Sequence, residues 1–345
     1  MKKCTYILVL LFFCHNLTGC IPKKEVLFSG KTMGTFYHVK IATQFFKNTR
    51  GLKQKIENRL EDINIKMSTF RNASEISRFN DTIPKGKRFY ISDEFFDVMT
   101  VADEIFKMTN GAWDGTVKPL MVLWGFGSSG PKERLPMQKE IEKAIQDVGF
   151  HLIEISANKF LVKKRTAVSL DLASIAKGYG VDVIAELIRE HGFQNYLVEI
   201  GGEVYASGRR KDGQPWKVGI NRPRKEAPIG EIYKIVTLTD KALATSGDYR
   251  KFFEMDGKHY SHIIDPRTGY PVSNGVVSVS IMADRCTFAD GLATAVMVMG
   301  LEKGLVLINK LAHVEGMIVV AGKNGELKSY YSNGFEQNFP ASESP

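Results

Sequence analysis

Apolar residues recur along this chain with two periods, one typical of helices and one typical of strands. Helical spacing of apolar positions predicts an amphipathic helix over about 50–66. Ser92 is a good N-cap, and Asp93 and Glu94 follow it in the first turn, where acids are favourable. These signals predict a second helix that ends at Asn110-Gly111. A longer helix is predicted from Asp171 to about Gly192, and shorter ones over 137–148, 290–299 and 301–312.

Strands are indicated by alternation or by short apolar runs, which occur at 35–41, 160–170, 196–200, 231–247, 258–265 and 275–283. Asn324-Gly325 lies between two further apolar runs and predicts a hairpin. Residues 209–230 are predicted to be turns and a surface loop. Because helices and strands mix without strict alternation, the fold class we expect is α+β, with antiparallel or mixed sheets flanked by helices. No clean linker divides the chain, which favours one catalytic unit. Whether this unit has two lobes around a central cleft stays an open question.

The N-terminus has the features of a targeting segment. Lys2 and Lys3 precede the apolar run Tyr6–Cys14, which is too short to span a bilayer comfortably. Leu17-Thr18-Gly19-Cys20 resembles the lipobox of bacterial lipoproteins, in which the signal is cleaved before the cysteine and lipid is attached to it. We therefore expect a signal over 1–19, a lipid on Cys20 and a tether over 20–29. A plain secretory signal is the alternative.

A lipid on Cys20 would anchor the chain to the bacterial cell envelope, with the folded part in the periplasm or otherwise outside the cytoplasm. Ile21 follows the cysteine where inner-membrane lipoproteins often have Asp, which weakly favours the outer membrane. The choice between the two membranes stays open. After residues 1–19 are removed, Cys286 is the one cysteine left besides Cys20, so no disulfide is expected in the mature chain.

The composition is that of an ordinary globular protein of 345 residues, with 43% hydrophobic and 25% charged residues. Its formal net charge of +9 becomes +7 without residues 1–19, which hold two lysines and no acids. A basic balance suits an anionic ligand or a membrane surface. Lysines scattered over helices explain the charge equally well, and no basic run interleaved with aromatics points to nucleic acid.

The segment Asp171–Gly180 is the richest in candidate chemistry. Asp171, Ser174 and Lys177 are three residues apart and share one side of the predicted helix. A helix start offers free amide donors and a positive dipole end to an anion, and Lys177 adds a charge suited to phosphate. A capping Asp beside a solvated Lys explains the same spacing about as well.

Asp290 and Thr294 lie one turn apart at the predicted start of another helix. Carboxylate and hydroxyl oxygens are donors that Mg²⁺ prefers, with substrate phosphate and water completing its coordination. For this pair taken by itself, a capping Asp and a Thr bonded back to its own helix are the favoured explanation. His262 precedes the turn at 265–269 and has the right chemistry for an acid or base, although an isolated histidine is more commonly structural.

Nine short segments occur in one order: Met33-Gly-Thr, Met67-Ser-Thr-Phe70, Gly111-Ala-Trp-Asp114, Trp124-Gly-Phe-Gly127, Asp171–Gly180, Glu199-Ile-Gly-Gly202, Thr245-Ser-Gly-Asp248, His262–Gly269 and Asp290-Gly-Leu-Ala-Thr294. This series resembles the ApbE family of FAD:protein FMN transferases over roughly residues 30–335, with a polar tail over 336–345. The resemblance implies a Mg²⁺-dependent enzyme that splits the pyrophosphate of FAD. It attaches FMN through a phosphoester to a Thr or Ser of a target protein and releases AMP. The implied targets are subunits of membrane electron-transport complexes and flavin reductases.

The resemblance also implies roles for particular residues. Positions that match FAD contacts are Met33, Phe70, Ala112, Trp113, Asp114, Asp171 and Lys177. Ile263 or its neighbour should line the same pocket through its backbone. The implied metal ligands are Ser174 or the carbonyl of Ala173, together with Asp290 and Thr294. His262 matches the proposed catalytic base.

Two departures and two alternatives accompany this reading. Phe70 stands where the family often has Tyr, and Trp113 where Phe is common, so stacking is kept while one hydroxyl is lost. An FAD pyrophosphatase, in which water replaces the protein hydroxyl, would use the same residues. A non-catalytic flavin- or metal-holding lipoprotein is the other alternative, although such a protein does not need a base like His262. The choice between Mg²⁺ and Mn²⁺ also stays open.

Overall fold

The computed structural model describes residues 22–340, except residues 128, 129, 131, 229, 250, 251, 256 and 323. The helices in this part of the chain are α1 (Leu52–Met67), α2 (Glu75–Thr82), α3 (Asp93–Met108), α4 (Lys118–Leu123), α5 (Gln138–Ile145), α6 (Ala173–Glu190), α7 (Cys286–Met299) and α8 (Leu301–Ile308). The strands are β1 (Lys23–Thr32), β2 (Thr35–Gln44), β3 (Arg88–Tyr90), β4 (Ile153–Ser156), β5 (Phe160–Lys163), β6 (Tyr196–Ile200), β7 (Glu203–Ser207), β8 (Trp216–Asn221), β9 (Ile232–Leu238), β10 (Lys241–Gly247), β11 (Phe252–Met255), β12 (Lys258–Ser261), β13 (Val276–Ala283), β14 (Glu315–Ala321) and β15 (Leu327–Tyr331).

The main sheet has eight antiparallel strands in the order β1-β2-β6-β7-β10-β13-β14-β15. A three-stranded sheet, β3-β5-β4, and two separate hairpins, β8-β9 and β11-β12, complete the strand pairing of the described residues. This arrangement confirms the α+β prediction with antiparallel sheets.

Helices cover one face of the main sheet, and a hairpin covers part of the other. On the helical face, Val39 and Ile41 of β2 pack with Ile56 of α1 and Ile184 of α6. A larger cluster on the same side joins α3, α6, α7 and β13. On the opposite face, Trp216 and Val236 of the β8-β9 hairpin pack in one cluster with residues of β10 and β14. Both faces of the sheet therefore contribute to the hydrophobic core.

Several elements follow the sequence pattern closely. The five apolar positions that predicted α1 are all buried, namely Leu52, Ile56, Leu60, Ile63 and Met67. The Ser92 hydroxyl accepts a hydrogen bond from the Phe95 amide, which confirms it as the N-cap of α3. The predicted hairpin at Asn324-Gly325 is β14-β15, with Gly325 in the left-handed conformation at φ +73°.

Other boundaries differ from the prediction. The expected tether is shorter because residues 23–29 belong to β1, whose backbone pairs with β2 throughout. The polar tail begins later than residue 336, since Phe339 is buried beside Phe335. The predicted strand over 160–170 ends at Lys163, and the predicted loop over 209–230 contains β8. Cys20 and the predicted signal lie outside the described residues.

Two short helices were not predicted. Helix α2 is capped by the Ser74 hydroxyl, which accepts from the Ser77 amide, and its eight residues are too few for a clear period. Helix α4 has six residues and starts with a proline in its first turn. Among the described residues, no helix is both long and apolar enough to span a membrane.

Candidate active site

Helices α6 and α7 cross at unusually short distance, and a glycine makes this possible. A Cβ atom placed on Gly178 would lie 2.3 Å from the carbonyl oxygen of Cys286 and 2.8 Å from the Cβ of Asp290. Any side chain at position 178 would therefore push the two backbones apart. The amide of Gly178 donates a hydrogen bond to Asp290 Oδ2 at 3.0 Å, which ties the predicted metal ligand directly to α6.

The start of α7 is fixed by a carboxylate on α6. Asp182 accepts hydrogen bonds from the amides of Cys286, at 2.8 Å, and Thr287, at 2.9 Å. These two amides are donors that a helix start leaves without partners in its own turn. Helix α7 consequently begins at Cys286, four residues before the predicted start. Asp290 is therefore not a capping residue, which corrects the expectation of an oxygen-rich helix start there.

Lys177 lies between two buried carboxylates. Its Nζ is 3.1 Å from Glu203 Oε1 and 3.7 Å from Asp290 Oδ2. Glu203 and Asp290 are each 3% exposed, while the Lys177 side chain keeps 28% of its surface exposed. No described residue donates a hydrogen bond to the other Glu203 oxygen, Oε2, although this atom is buried. The three side chains form a compact group of one cation and two acids.

This grouping changes the proton affinity of its members. Burial disfavours charge on Lys177, but the carboxylates of Asp290 and Glu203 outweigh burial and raise its pKa above the usual range. Burial raises the pKa of Glu203 to about 8, against the opposing pull of the Lys177 ammonium. Lys177 therefore stays protonated at neutral pH and presents a fixed positive charge.

Two hydroxyl groups lie one helical turn from members of this charged group. The Thr294 hydroxyl, one turn along α7 from Asp290, lies 2.9 Å from the Ser246 hydroxyl on β10. Ser174, one turn before Lys177 on α6, accepts a hydrogen bond from the indole nitrogen of Trp113 at 3.0 Å. The predicted metal residues on α6 and α7 are therefore held by partners from other elements.

His262 directly follows β12 and is half-buried, with its ring centroid 6.4 Å from that of Phe126. The neighbouring Ile263 is buried in the same cluster as Ile175 of α6 and Ala289 of α7, so this segment shares a core with the helix pair. The Ile263 amide donates to the Ser261 hydroxyl and its carbonyl accepts from Val272. A ligand could use only the second lone pair of that carbonyl.

The predicted aromatic contacts occupy contrasting places. Trp113 is 2% exposed and packs against Phe150, so its ring belongs to the core and its indole nitrogen holds Ser174. The structure therefore does not offer this ring as an open stacking surface. Phe70 is 84% exposed and its ring is open to a partner.

The remaining predicted FAD contacts also differ in whether a ligand could reach them. Met33 lies in the turn between β1 and β2 and approaches α6, where a Cβ on Gly180 would be 3.0 Å from its methyl carbon. Ala112 is buried. The Asp114 carboxylate is buried and accepts from the amides of Thr116 and Phe150, which makes it a structural cap. Asp171 Oδ1 accepts a hydrogen bond from the amide of Ala173, the first residue of α6. The N-cap residue is Leu172, which has no capping side chain, so the expectation that Asp171 is the N-cap was wrong.

Sequence reasoning missed Glu203 and Asp182 as parts of this site. Glu203 opens β7 directly after Gly201-Gly202, and an acid at the start of an apolar strand is the signal that could have marked it. Asp182 has no such signal, because its partners lie 104 and 105 positions further along the chain.

The donor set suits a hard cation that also binds phosphate. Asp290 supplies a carboxylate and Thr294 a hydroxyl, and Mg²⁺ characteristically takes one or two carboxylates and completes its shell with phosphate and water. Among the described residues, no group of three or more His, Cys, Asp or Glu side chains could hold a metal. The carboxylate of Asp290 and the hydroxyl of Thr294 are oxygen donors of the kind that would fit a cation shared with a phosphorylated ligand.

Cys286 has no part in this chemistry. It is fully buried, and burial raises the pKa of its thiol well above the usual range. Its backbone carbonyl, in contact with Gly178, is what matters to the helix pair.

The fold is α+β, and it places a buried group of one lysine and two carboxylates beside the crossing of α6 and α7. The chain matches the model of the ApbE family over residues 33–318. The chain belongs to the ApbE family.

Relatives and solved structures agree with this membership. A Vibrio cholerae protein named FAD:protein FMN transferase is 40% identical over 322 residues, which are 93% of this chain and 95% of the relative. An Escherichia coli K12 protein of the same name is 33% identical over 340 residues, or 94% of each chain. The solved structure of the flavin transferase ApbE from Vibrio cholerae superposes with a TM-score of 0.83 at 38% identity, covering 92% of this chain and all of that one. The apo form of the Pseudomonas stutzeri flavinyl transferase ApbE gives 0.82 at 36% identity, covering 92% and 98%.

Proposed function

We propose that this protein is an FAD:protein FMN transferase that uses Mg²⁺ to move FMN from FAD to a Thr or Ser hydroxyl of an acceptor protein. The observation that carries the proposal is the buried Asp290 carboxylate, held 3.7 Å from the Lys177 ammonium and one turn from the Thr294 hydroxyl. It stands in a chain that resembles proteins of that name over more than nine-tenths of its length.

The proposed reaction is a displacement at phosphorus. The acceptor hydroxyl oxygen bonds to the phosphorus of the FMN half, and the bond from that phosphorus to the bridging oxygen breaks. AMP leaves with the bridging oxygen, and the hydroxyl proton passes to His262. Such transfer depends mainly on positioning and charge neutralisation.

The residues of this chain divide that work. Lys177 places a permanent positive charge beside the pyrophosphate, and Glu203 holds its ammonium in position. Asp290 and Thr294 would hold Mg²⁺, which when bound neutralises phosphate charge and stabilises the leaving group. Met33 and the exposed ring of Phe70 are proposed contacts for the rest of FAD.

We further propose that Cys20 carries lipid and that the catalytic part works outside the cytoplasm on the surface of a membrane. The lipobox-like segment before Cys20 supports this placement. Acceptors of matching location would be subunits of membrane electron-transport complexes or flavin reductases.

The test is transfer to a purified acceptor domain that contains a single flavinylation Thr. The chain from residue 22 is incubated with FAD and Mg²⁺, and the acceptor is weighed by mass spectrometry. We expect a gain of one FMN phosphoester that disappears when Mg²⁺ is omitted. A matched pair of variants tests the metal ligand: Asp290→Asn should abolish the gain, while Asp284→Asn, whose side chain is 62% exposed near the start of α7, should not.

Two other outcomes would redirect the assignment. Release of FMN and AMP with no gain in acceptor mass would indicate an FAD pyrophosphatase. FAD that stays bound and intact in the presence of Mg²⁺ would indicate a flavin-holding protein.

A further inference from the structure

The open end of the β1-β2 hairpin has a composition unlike the rest of the surface. Lys23 pairs with Gln44, and the Phe45 amide donates to the Pro22 carbonyl at 2.9 Å. Residues 22–24 and 44–47 therefore lie side by side, where the described chain begins. We refer to Lys23, Lys24, Phe45, Phe46 and Lys47 as the basic-aromatic patch.

Two neighbouring phenylalanines in this patch face water. Phe46 is 84% exposed and Phe45 is 56% exposed, and their rings meet edge to face with centroids 5.4 Å apart. Two other exposed apolar side chains of this hairpin lie away from the patch, since Leu27 pairs with Lys40 in the middle and Phe36 pairs with Lys31 near the turn. The two adjacent phenylalanines at the open end are therefore the apolar part of the patch, and paired exposed rings mark an interaction site more often than single scattered residues do.

The sequence next to the two rings is mostly basic, with Glu25 as the one acid beside it. Residues 44–55 contain Lys47, Arg50, Lys53 and Lys55 and no acidic residue, and residues 22–24 add two lysines. The Lys24 ammonium lies 5.9 Å from the centre of the Phe45 ring. A partner that fits this surface therefore has an anionic outer layer for the lysines and an apolar layer below it for the two rings.

We propose that the basic-aromatic patch docks on an anionic phospholipid bilayer. The rings of Phe45 and Phe46 would enter the boundary between headgroups and acyl chains, and the lysines would contact lipid phosphates. A second copy of this chain does not fit, because a two-fold interface would place the same lysines against each other.

The position of the patch supports this occupant. Cys20, the proposed lipid site, lies three residues before Lys23. Lipid at that cysteine would hold the patch against a membrane surface, where a basic and aromatic surface can add to the attachment. The inference does not depend on lipid at Cys20 or on the proposed transferase activity, because the patch is complete from Pro22 onward.

The test uses the chain from Pro22 to Pro345, which keeps every strand and helix that the structure describes. Its binding to phosphatidylcholine vesicles that contain phosphatidylglycerol is compared by cosedimentation with binding to pure phosphatidylcholine. We expect binding to the anionic vesicles that weakens as salt rises. The double change Phe45→Ala with Phe46→Ala should weaken binding about tenfold, since binding scales with buried apolar area. The control Tyr90→Ala, an aromatic residue 67% exposed elsewhere, should leave it unchanged.

Charge is tested separately. Lys23→Gln with Lys24→Gln should weaken binding about 25-fold, because each lysine near an anionic surface contributes about a factor of five. Lys303→Gln with Lys310→Gln, two exposed lysines of the α8 region, is the control. Equal binding to both kinds of vesicle, or a patch variant that binds like its control, would overturn the proposal. Increased aggregation with unchanged lipid binding would mean that the lysines only protect an edge strand. All variants should still transfer FMN to a soluble acceptor, so a failure here is distinct from a failure of the proposed function.

Discussion

Replacing Gly178 by Ala tests whether the close crossing of α6 and α7 is needed for the site. The new Cβ would lie 2.3 Å from the Cys286 carbonyl oxygen, 2.7 Å from its carbonyl carbon and 2.8 Å from Asp290 Cβ. Two of these atoms are backbone, so no side-chain rotation can relieve the overlap. The helices must separate, and Asp290 must move relative to Lys177.

The magnitude follows from two opposing effects. Overpacking a tight interior costs about 1–3 kcal/mol, and a backbone obstacle places this case near 3 kcal/mol. Alanine in a helix interior gains about 1 kcal/mol over glycine. The net loss in the free energy of unfolding is then about 2 kcal/mol, which corresponds to a fall in Tm of about 4 °C for a chain of this size. A loss of this size leaves a typical domain folded.

Gly180→Ala is the matched control, two residues further along the same helix. Its Cβ would be 3.0 Å from the terminal methyl carbon of Met33, which is the flexible end of a side chain. We expect its Tm to stay close to the wild-type value, since the propensity gain of about 1 kcal/mol offsets a small adjustment.

Two measurements complete the experiment, namely thermal unfolding and the Mg²⁺ dependence of FMN transfer. For Gly178→Ala we expect transfer to fall about 10²-fold, as a displacement near 1 Å can cost that much, with a higher Mg²⁺ requirement. If Gly178→Ala matches Gly180→Ala in Tm and keeps the wild-type Mg²⁺ dependence, the reasoning about the helix crossing is wrong.

Three further predictions concern single side chains. His262→Ala should lower FMN transfer about 10²–10⁴-fold and keep FAD binding, as measured by fluorescence quenching. The control His259→Ala, on the exposed end of the same hairpin, should transfer FMN normally. Full activity in His262→Ala would exclude His262 as the base. Lys177→Met should weaken FAD binding and should leave Glu203 without its ammonium partner. The Tm of this variant should therefore fall further below the wild-type Tm at pH 9 than at pH 6. A Tm difference that does not change with pH would contradict the ion pairing. Burial raises the pKa of Asp248 from 3.8 to about 6, so its protonated form favours the fold, and that stability is present below about pH 4 and lost as pH rises through 6. The Tm of Asp248→Asn should therefore gain on the wild type between pH 4 and pH 7, and a constant difference would refute the assignment.

The sequence pattern was sufficient wherever structure depends on near neighbours. Helix α1 follows from five apolar positions at helical spacing, and α3 from a serine cap three residues before the amide that it accepts from. The fold class follows from the same local signals, because strands joined by short turns favour antiparallel pairing.

The pattern was insufficient where a partner lies far along the chain. The start of α7 depends on Asp182, 104 positions earlier, and the predicted start was four residues late for that reason. The hydrogen bond from the Trp113 indole to Ser174 joins residues 61 positions apart. Sequence could not reveal this contact, so Trp113 was expected at the ligand although its ring lies in the core. Glu203 was missed because its role is defined by Lys177, which lies on a different element.

The burial of Cys286 has a practical consequence for studying this protein. In a chain that starts at Pro22 it is the one thiol, and it sits at the first turn of α7 against Gly178. Alkylating reagents can reach it only when the two helices open, so its labelling rate measures that opening directly. Labelling followed by intact-mass measurement would report, on the same sample, whether FAD and Mg²⁺ change the rate of this opening and how much FMN has reached the acceptor.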